Sequence, residues 1–276
     1  MSLDVVLITG ANRGIGLSLV RQVLTTTHAK HVIATTRQSS HPELDQLRDK
    51  HPNRLHVLTT THAKHVIATT RQSSHPELDQ LRDKHPNRLH VLQLEGTNYN
   101  SFPQFVKQVE AIVGDQGLDT LVNNAGIICR NGLDSVSVED MMNVFEVNSV
   151  APLMLTKALL PLLKVSATKR KTAVINITST LGSISLIGQY PFRGYYPYQT
   201  SKAALNMTTK CLSVDLKPLG ISVMGVHPGH VRTGFTNYNA AIDVDTSVTG
   251  ILDAIRAIND ELLGQTVSYD GSIIPY

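Results

Sequence analysis

Tyr198 and Lys202, four positions apart in YPYQTSK, are the two side chains with the plainest chemical use. If residues from 199 onward are helical they share one face, where an ammonium can act on a phenol. A free phenol ionises near pH 10, too high for ready proton exchange at neutral pH, and an adjacent cation stabilises its ionised form. Alone, the pair is weak evidence. It closes residues 174–202, which read as an apolar strand (VINI), a Ser/Thr/Gly-rich turn and the first turns of a helix.

A second set of residues suits phosphate. The apolar run 5–9 leads into TGANRGIG (9–16) and a helical stretch, 17–24. Gly10, Gly14 and Gly16 allow a tight turn and close approach of the backbone to a pyrophosphate, at a helix amino terminus that favours anions. The next strand, HVIATTR, occurs twice, at 31–37 and 65–71, and ends in Arg37 or Arg71. A carboxylate there would bind the 2′-hydroxyl of NAD, whereas arginine favours the 2′-phosphate of NADP, with Arg13 as a second positive charge.

The repeat is wider than that strand. Residues 25–58 and 59–92 are identical, and each copy carries five histidines, five basic and three acidic residues. Removing one copy takes the formal charge from +3 to +1, so the pI near 8.8 and the 12 histidines are copied features that do not point to nucleic acid or a metal site. Two identical copies are fewer than a stacked repeat architecture needs. In the first copy, LHVL runs into TTTHAK, too short for the crossover to another parallel strand, so one strand and helix of chain should be extruded or irregular. Which copy fills the native position is open at this level.

The remaining elements alternate. HPELDQLRDK reads as a short polar helix, LHVLQLE (89–95) as a strand, 102–113 as a helix and 118–126 as a strand with a turn. A long apolar-faced helix over 138–163 encloses Asn148, and 221–229 is a strand with a Pro-Gly stop. Residues 234–247 form a polar loop, before a final helix and the strand TVSY. This alternation predicts an α/β fold with a doubly wound parallel sheet, one domain over 1–276 with the duplicate (25–92) inside it, and ligands at the carboxyl ends of the strands. The length and a 41% apolar composition suit one such core, no 18-residue uncharged run suggests a membrane span, and the amino terminus lacks a signal-peptide pattern, so a cytoplasmic location is expected. Cys129 and Cys211 read as two buried thiols without metal-ligand spacing.

TGANRGIG, NNAG (123–126), Ser179 after a strand, YQTSK (198–202) and HPG (227–229), in this order, resemble the short-chain dehydrogenase/reductase family, over essentially the whole chain apart from the extra copy. HPGHVRTGF and the tail SYDGSIIPY are more narrowly similar to carbonyl reductases of the sniffer and C-factor type. The resemblance implies NADPH-dependent reduction of a small-molecule aldehyde or ketone. Tyr198 would be the general acid, Lys202 would tune it and hold the nicotinamide ribose, Ser179 would orient the carbonyl, and Asn148 would hold a relay water. For the cofactor it implies the glycine-turn residues Gly10, Asn12, Arg13, Gly14, Ile15 and Gly16, then Asn124, Ala125 and Gly126 near the adenine ribose, and Pro228, Gly229, Val231 and Thr233 near the carboxamide. Glu95 stands where the family usually has an adenine-contacting Asp. The resemblance also implies a homodimer that pairs the helices 138–163 and 198–216. The other reading is a catalytically impaired scaffold, its nucleotide half disturbed by the duplication.

Overall fold

A computed structural model describes residues 3–26, 65–70, 89–189 and 194–276. Its chain order is β1 (Val5–Ile8), α1 (Gly14–Thr26), β2 (His65–Thr70), β3 (Leu89–Gln93), α2 (Phe102–Val113), β4 (Thr120–Asn123) and α3 (Val138–Phe145). There follow α4 (Ala151–Ala167), β5 (Thr172–Ile177), α5 (Tyr196–Leu216), β6 (Ile221–His227), α6 (Val244–Arg256), β7 (Thr266–Ser268) and β8 (Ile273–Ile274). The strands form one sheet in the order β3-β2-β1-β4-β5-β6-β7-β8, parallel except for β8. The order reverses between β1 and β4, which places a ligand crevice at their carboxyl ends.

Every residue of β1, β4 and β5 is buried. Strands covered on both faces need continuous apolar runs such as VVLI, which is why they carry no alternation. Helix α1 packs with α6, and α2 with α4. Phe102, Phe105, Val109 and Val113 fall at helical spacing on the buried side of α2, and Gly114 ends it. Asp243 caps α6, its carboxylate accepting from the Thr246 N–H at 2.8 Å. Helix α6 thus begins inside the stretch expected to be loop, and the two-residue β8 had no signal in the sequence.

The second copy of the repeat supplies β2. Its HVIATT pairs in parallel with β1 (Val5 with His65) and with β3 (Val66 with Leu89). The helix expected after it, the first copy beyond residue 26, Arg37 and Arg71 all lie outside the described residues.

The expected single helix over 138–163 is three pieces. Ser137 opens α3 with a reciprocal cap to Asp140, residues Glu146–Val150 form a π-helical turn, and α4 continues to Ala167. By length and composition Val138–Ala167 would be able to cross a membrane, but Leu155, Leu159, Leu162 and Leu163 are buried in the core. The thiols depart from expectation too: Cys129 is half-buried and Cys211 exposed on α5, where helix geometry turns it away from the core.

At the opposite end of the sheet from the crevice, Asp119 is fully buried. Its carboxylate accepts from the Val5 N–H at 2.6 Å and the Ser166 hydroxyl at 3.1 Å, with Arg170 at 3.3 Å. Burial outweighs the arginine and pushes its pKa up to about 6.

Candidate active site

The site is assembled at the turn after β4. Thr9 follows β1, and its hydroxyl accepts from the backbone N–H groups of Asn124 and Ala125, both at 2.9 Å. The Asn124 amide donates back to the carbonyls of Thr9 (2.7 Å) and Gly10 (3.1 Å). Both side-chain N–H groups and the backbone N–H are therefore used inside the protein, which leaves its two carbonyl oxygens for a ligand. Gly10 has φ 62°, and a Cβ there would come within 2.9 Å of the Ala125 backbone; one on Gly16 would come within 2.4 Å of the Gly10 carbonyl. Only glycine permits this turn. It delivers the chain into α1, whose first turn carries no carboxylate and opens with Gly14, Ile15 and Gly16, a cradle fitted to a pyrophosphate. Asn12 lies in the turn, and the exposed Arg13 leans toward the loop after β6, its Nη1 3.7 Å from where a Cβ on Gly234 would sit.

Gly126 marks the meeting point with the catalytic candidates. A Cβ there would lie 3.2 Å from Asn148 Oδ1 and 3.9 Å from Lys202 Nζ. Asn148, fully buried in the π-helical turn, accepts from the Ile127 N–H at 2.9 Å and donates to the Ile127 carbonyl at 2.9 Å and the Ser201 hydroxyl at 3.0 Å. The turn's extra residue aims a polar side chain inward where an unbroken apolar helix would not. Asn148 thus clamps the NNAG loop to α5.

Ser179, Tyr198 and Lys202 come together and are each buried. Ser179 lies two residues past β5 and caps the short turn Thr180–Gly182; its Oγ accepts from the Leu181 N–H at 3.1 Å and it hydrogen-bonds the Tyr198 phenol. Lys202 Nζ donates to the Ile177 carbonyl at 2.9 Å and stands 5.8 Å from the Tyr198 ring centroid. The phenol is not depressed by the protein alone: burial raises it to about 12, against the Ser179 hydrogen bond and the charge of Arg130. Burial likewise lowers Lys202 to about 8.

Arg130 and Phe235 escaped the sequence reading as individual site residues. The Phe235 ring meets Tyr198 edge-on at 5.7 Å, and Arg130 Nη2 donates to the Phe235 carbonyl at 2.5 Å. Phe235 was legible only as part of the polar loop 234–247, and no motif marked Arg130. After the Pro228-Gly229 turn, Val231 is buried and bridges to Ile242, while Thr233 packs its methyl against the Gly14 position and starts a short turn at Gly234. Glu95 lies just past β3, accepting from the Thr97 hydroxyl at 3.4 Å. A cavity of about 330 Å³ opens behind Ser179, between Thr180, Leu186, His227 and the Tyr269-Asp270 turn, and Tyr198 and Lys202 do not line it.

A family model described as short chain dehydrogenase matches residues 55–242. The chain is 36% identical over 162 residues to the C-signal protein of Myxococcus xanthus, covering 58% of this chain and 93% of that one. It is 29% identical over 288 residues to an uncharacterized oxidoreductase of Schizosaccharomyces pombe, covering 98% and 96%. Among solved structures, the carbonyl reductase Sniffer of D. melanogaster superposes with TM-score 0.82 at 33% identity, and an NADPH-bound carbonyl reductase from chicken fatty liver with TM-score 0.83 at 32% identity, each covering 100% of both chains. The chain belongs to the short chain dehydrogenase family and is an oxidoreductase.

Proposed function

We propose that the protein reduces the carbonyl of a small aldehyde or ketone with NADPH, and that Tyr198 delivers the proton. The observation that carries this is the buried Ser179-Tyr198 hydrogen bond beside Lys202, at the carboxyl ends of the strands. The glycine turn and the start of α1 would hold the pyrophosphate, Lys202 the nicotinamide ribose, and Val231 and Thr233 the carboxamide end. Asn124, Ala125, Gly126 and Glu95 are assigned to the adenosine side. The 2′-phosphate is assigned to Arg71, because its copy supplies β2, with Arg13. The likeness to the NADPH-bound chicken enzyme supports that choice of nucleotide. The bound nucleotide supplies the hydride.

The chain's own part is proton delivery. Ser179 and Tyr198 bracket the substrate oxygen and fix its orientation. A phenol at about 12 gives up its proton poorly at neutral pH, so cations must stabilise the phenolate. Lys202 supplies that charge from a buried position, where it acts more strongly than in water, and the exposed Arg130 adds to it. Asn148 is assigned the role of holding the loop and α5 in register; a relay water has only its Oδ1 or main chain to use, since both amide N–H groups are taken.

Incubating the full chain with NADPH and a panel of aldehydes and ketones tests this reading. Stoichiometric nucleotide oxidation and alcohol formation are expected; saturable NADPH binding without turnover on any carbonyl contradicts it. The scaffold reading finds no support among the described residues, because β2 pairs in register and the glycine turn is intact. The proposal includes a cytoplasmic location and a two-fold dimer through α3 and α5. Exposed Met142, Met207 and Val214 on those helices support the dimer.

A further inference from the structure

We propose that Arg130 selects substrates carrying a carboxylate a few bonds from the reacting carbonyl, so that the preferred substrates are oxo acids. This inference rests on the carbonyl-reductase reading and adds a substrate class to it.

Arg130 follows the NNAG turn, on the loop between β4 and α3. Its guanidinium crosses to the loop after β6 and fastens the Phe235 carbonyl at 2.5 Å, and the Phe235 ring lies edge-on against Tyr198. It is thus one residue away from the phenol, and its charge is felt there. One of its five N–H donors is committed to Phe235, and no ion pair joins it to a carboxylate among the described residues. On α3, Asp140 is engaged by Asn131 at 2.8 Å and by Ser137. A surface arginine with no partner would be unremarkable by itself. This one is fixed at one end, exposed at the other, and aimed across the approach to a buried phenol.

Arg13 approaches the same loop from the opposite side, beside Gly234. Arg13 is assigned to the nucleotide's 2′-phosphate, so Arg130 is the guanidinium of this pair that a substrate anion would meet. Arginine stays charged at all relevant pH and pairs with carboxylates through parallel N–H donors. A substrate carbonyl placed between Ser179 and Tyr198 would direct a carboxylate on its short side toward Arg130. Lys202 is turned away toward the Ile177 carbonyl and does not compete for that anion.

The test compares each oxo acid with its own methyl ester, pyruvate against methyl pyruvate and 4-oxopentanoate against its ester. They are assayed with the full chain, Arg130→Gln and Arg130→Lys. Arg130→Gln keeps a donor for the Phe235 carbonyl and removes the charge. We expect the unaltered chain to prefer at least one acid, and Arg130→Gln to lower kcat/KM for that acid by about 10- to 100-fold more than for its ester, both substrates sharing whatever is lost at the phenol. Arg130→Lys should retain most of the preference. Equal rates for acid and ester in the unaltered chain, or equal losses for both in Arg130→Gln, would leave Arg130 as a latch and overturn the inference. Reduction of neutral aldehydes with no reduction of either acid overturns it alone. Failure on every carbonyl overturns the underlying reading and this inference with it.

Discussion

Lys202 Nζ donates to the Ile177 carbonyl at 2.9 Å while standing 5.8 Å from the centroid of the Tyr198 ring. The ammonium is thereby anchored to the end of β5, at a fixed separation from the phenol and out of water. The arrangement costs stability, because an ammonium is buried with a single neutral acceptor. That cost is visible in the lowering of Lys202 from 10.5 to about 8.

Lys202→Met follows directly from this. The folded protein binds the Lys202 proton less tightly than the unfolded chain, so below about pH 8 the buried charge subtracts from stability, and the loss is relieved as pH rises from 8 toward 10.5. At neutral pH the nucleotide-free variant should be more stable by about 1–3 kcal/mol, measured by denaturant unfolding, while losing nearly all turnover. A variant less stable than the unaltered chain would mean that the Ile177 hydrogen bond outweighs the burial.

Asn148 tests the clamp between the NNAG loop and α5. Asn148→Ala leaves the Ile127 N–H and carbonyl without the partners seen here, and should cost about 2–4 kcal/mol in denaturant unfolding. Asn148→Asp keeps the size but cannot donate to Ile127 or Ser201 and should be no better. If Asn148→Asp unfolds like the unaltered chain, the clamp is not what the π-helical turn exists to make.

Two groups with opposite shifts set the acid response of stability. Asp119 is held at about 6 against 3.8, so as pH falls between those values the folded state takes the proton first and gains stability. His227, half-buried at the end of β6, is held at about 4 against 6.5 by desolvation, so over its window the unfolded chain takes the proton first and stability falls. Each effect is about 3 kcal/mol and they offset one another. Asp119→Asn should remove the gain and leave the loss, giving a melting temperature that declines more steeply from pH 6.5 to 4 than that of the unaltered chain. Parallel profiles for the two proteins would contradict this.

The fold was legible where periodicity is strong: α2 falls on 102–113 as the spacing of Phe102, Phe105, Val109 and Val113 requires. The π-helical turn was not, because the apolar helical pattern runs on through Asn148, and only the isolated polar residue hinted at it. Which copy forms β2 was undecidable from identical strands; their connections decide, and the second copy runs directly into β3. Ser179, Tyr198 and Lys202 were readable because their spacing is set by local elements. Arg130 was not, since its relation to Tyr198 passes through Phe235, more than 100 residues away in sequence.

Tyr198→Phe tests the central claim most directly. It keeps the ring that packs on Phe235 and removes only the hydroxyl bonded to Ser179. Steady-state carbonyl reduction and NADPH titration would be measured on both proteins. Turnover should fall by about 100- to 10,000-fold, with nucleotide affinity unchanged within about threefold. Turnover retained at the level of the unaltered chain would contradict proton delivery by Tyr198.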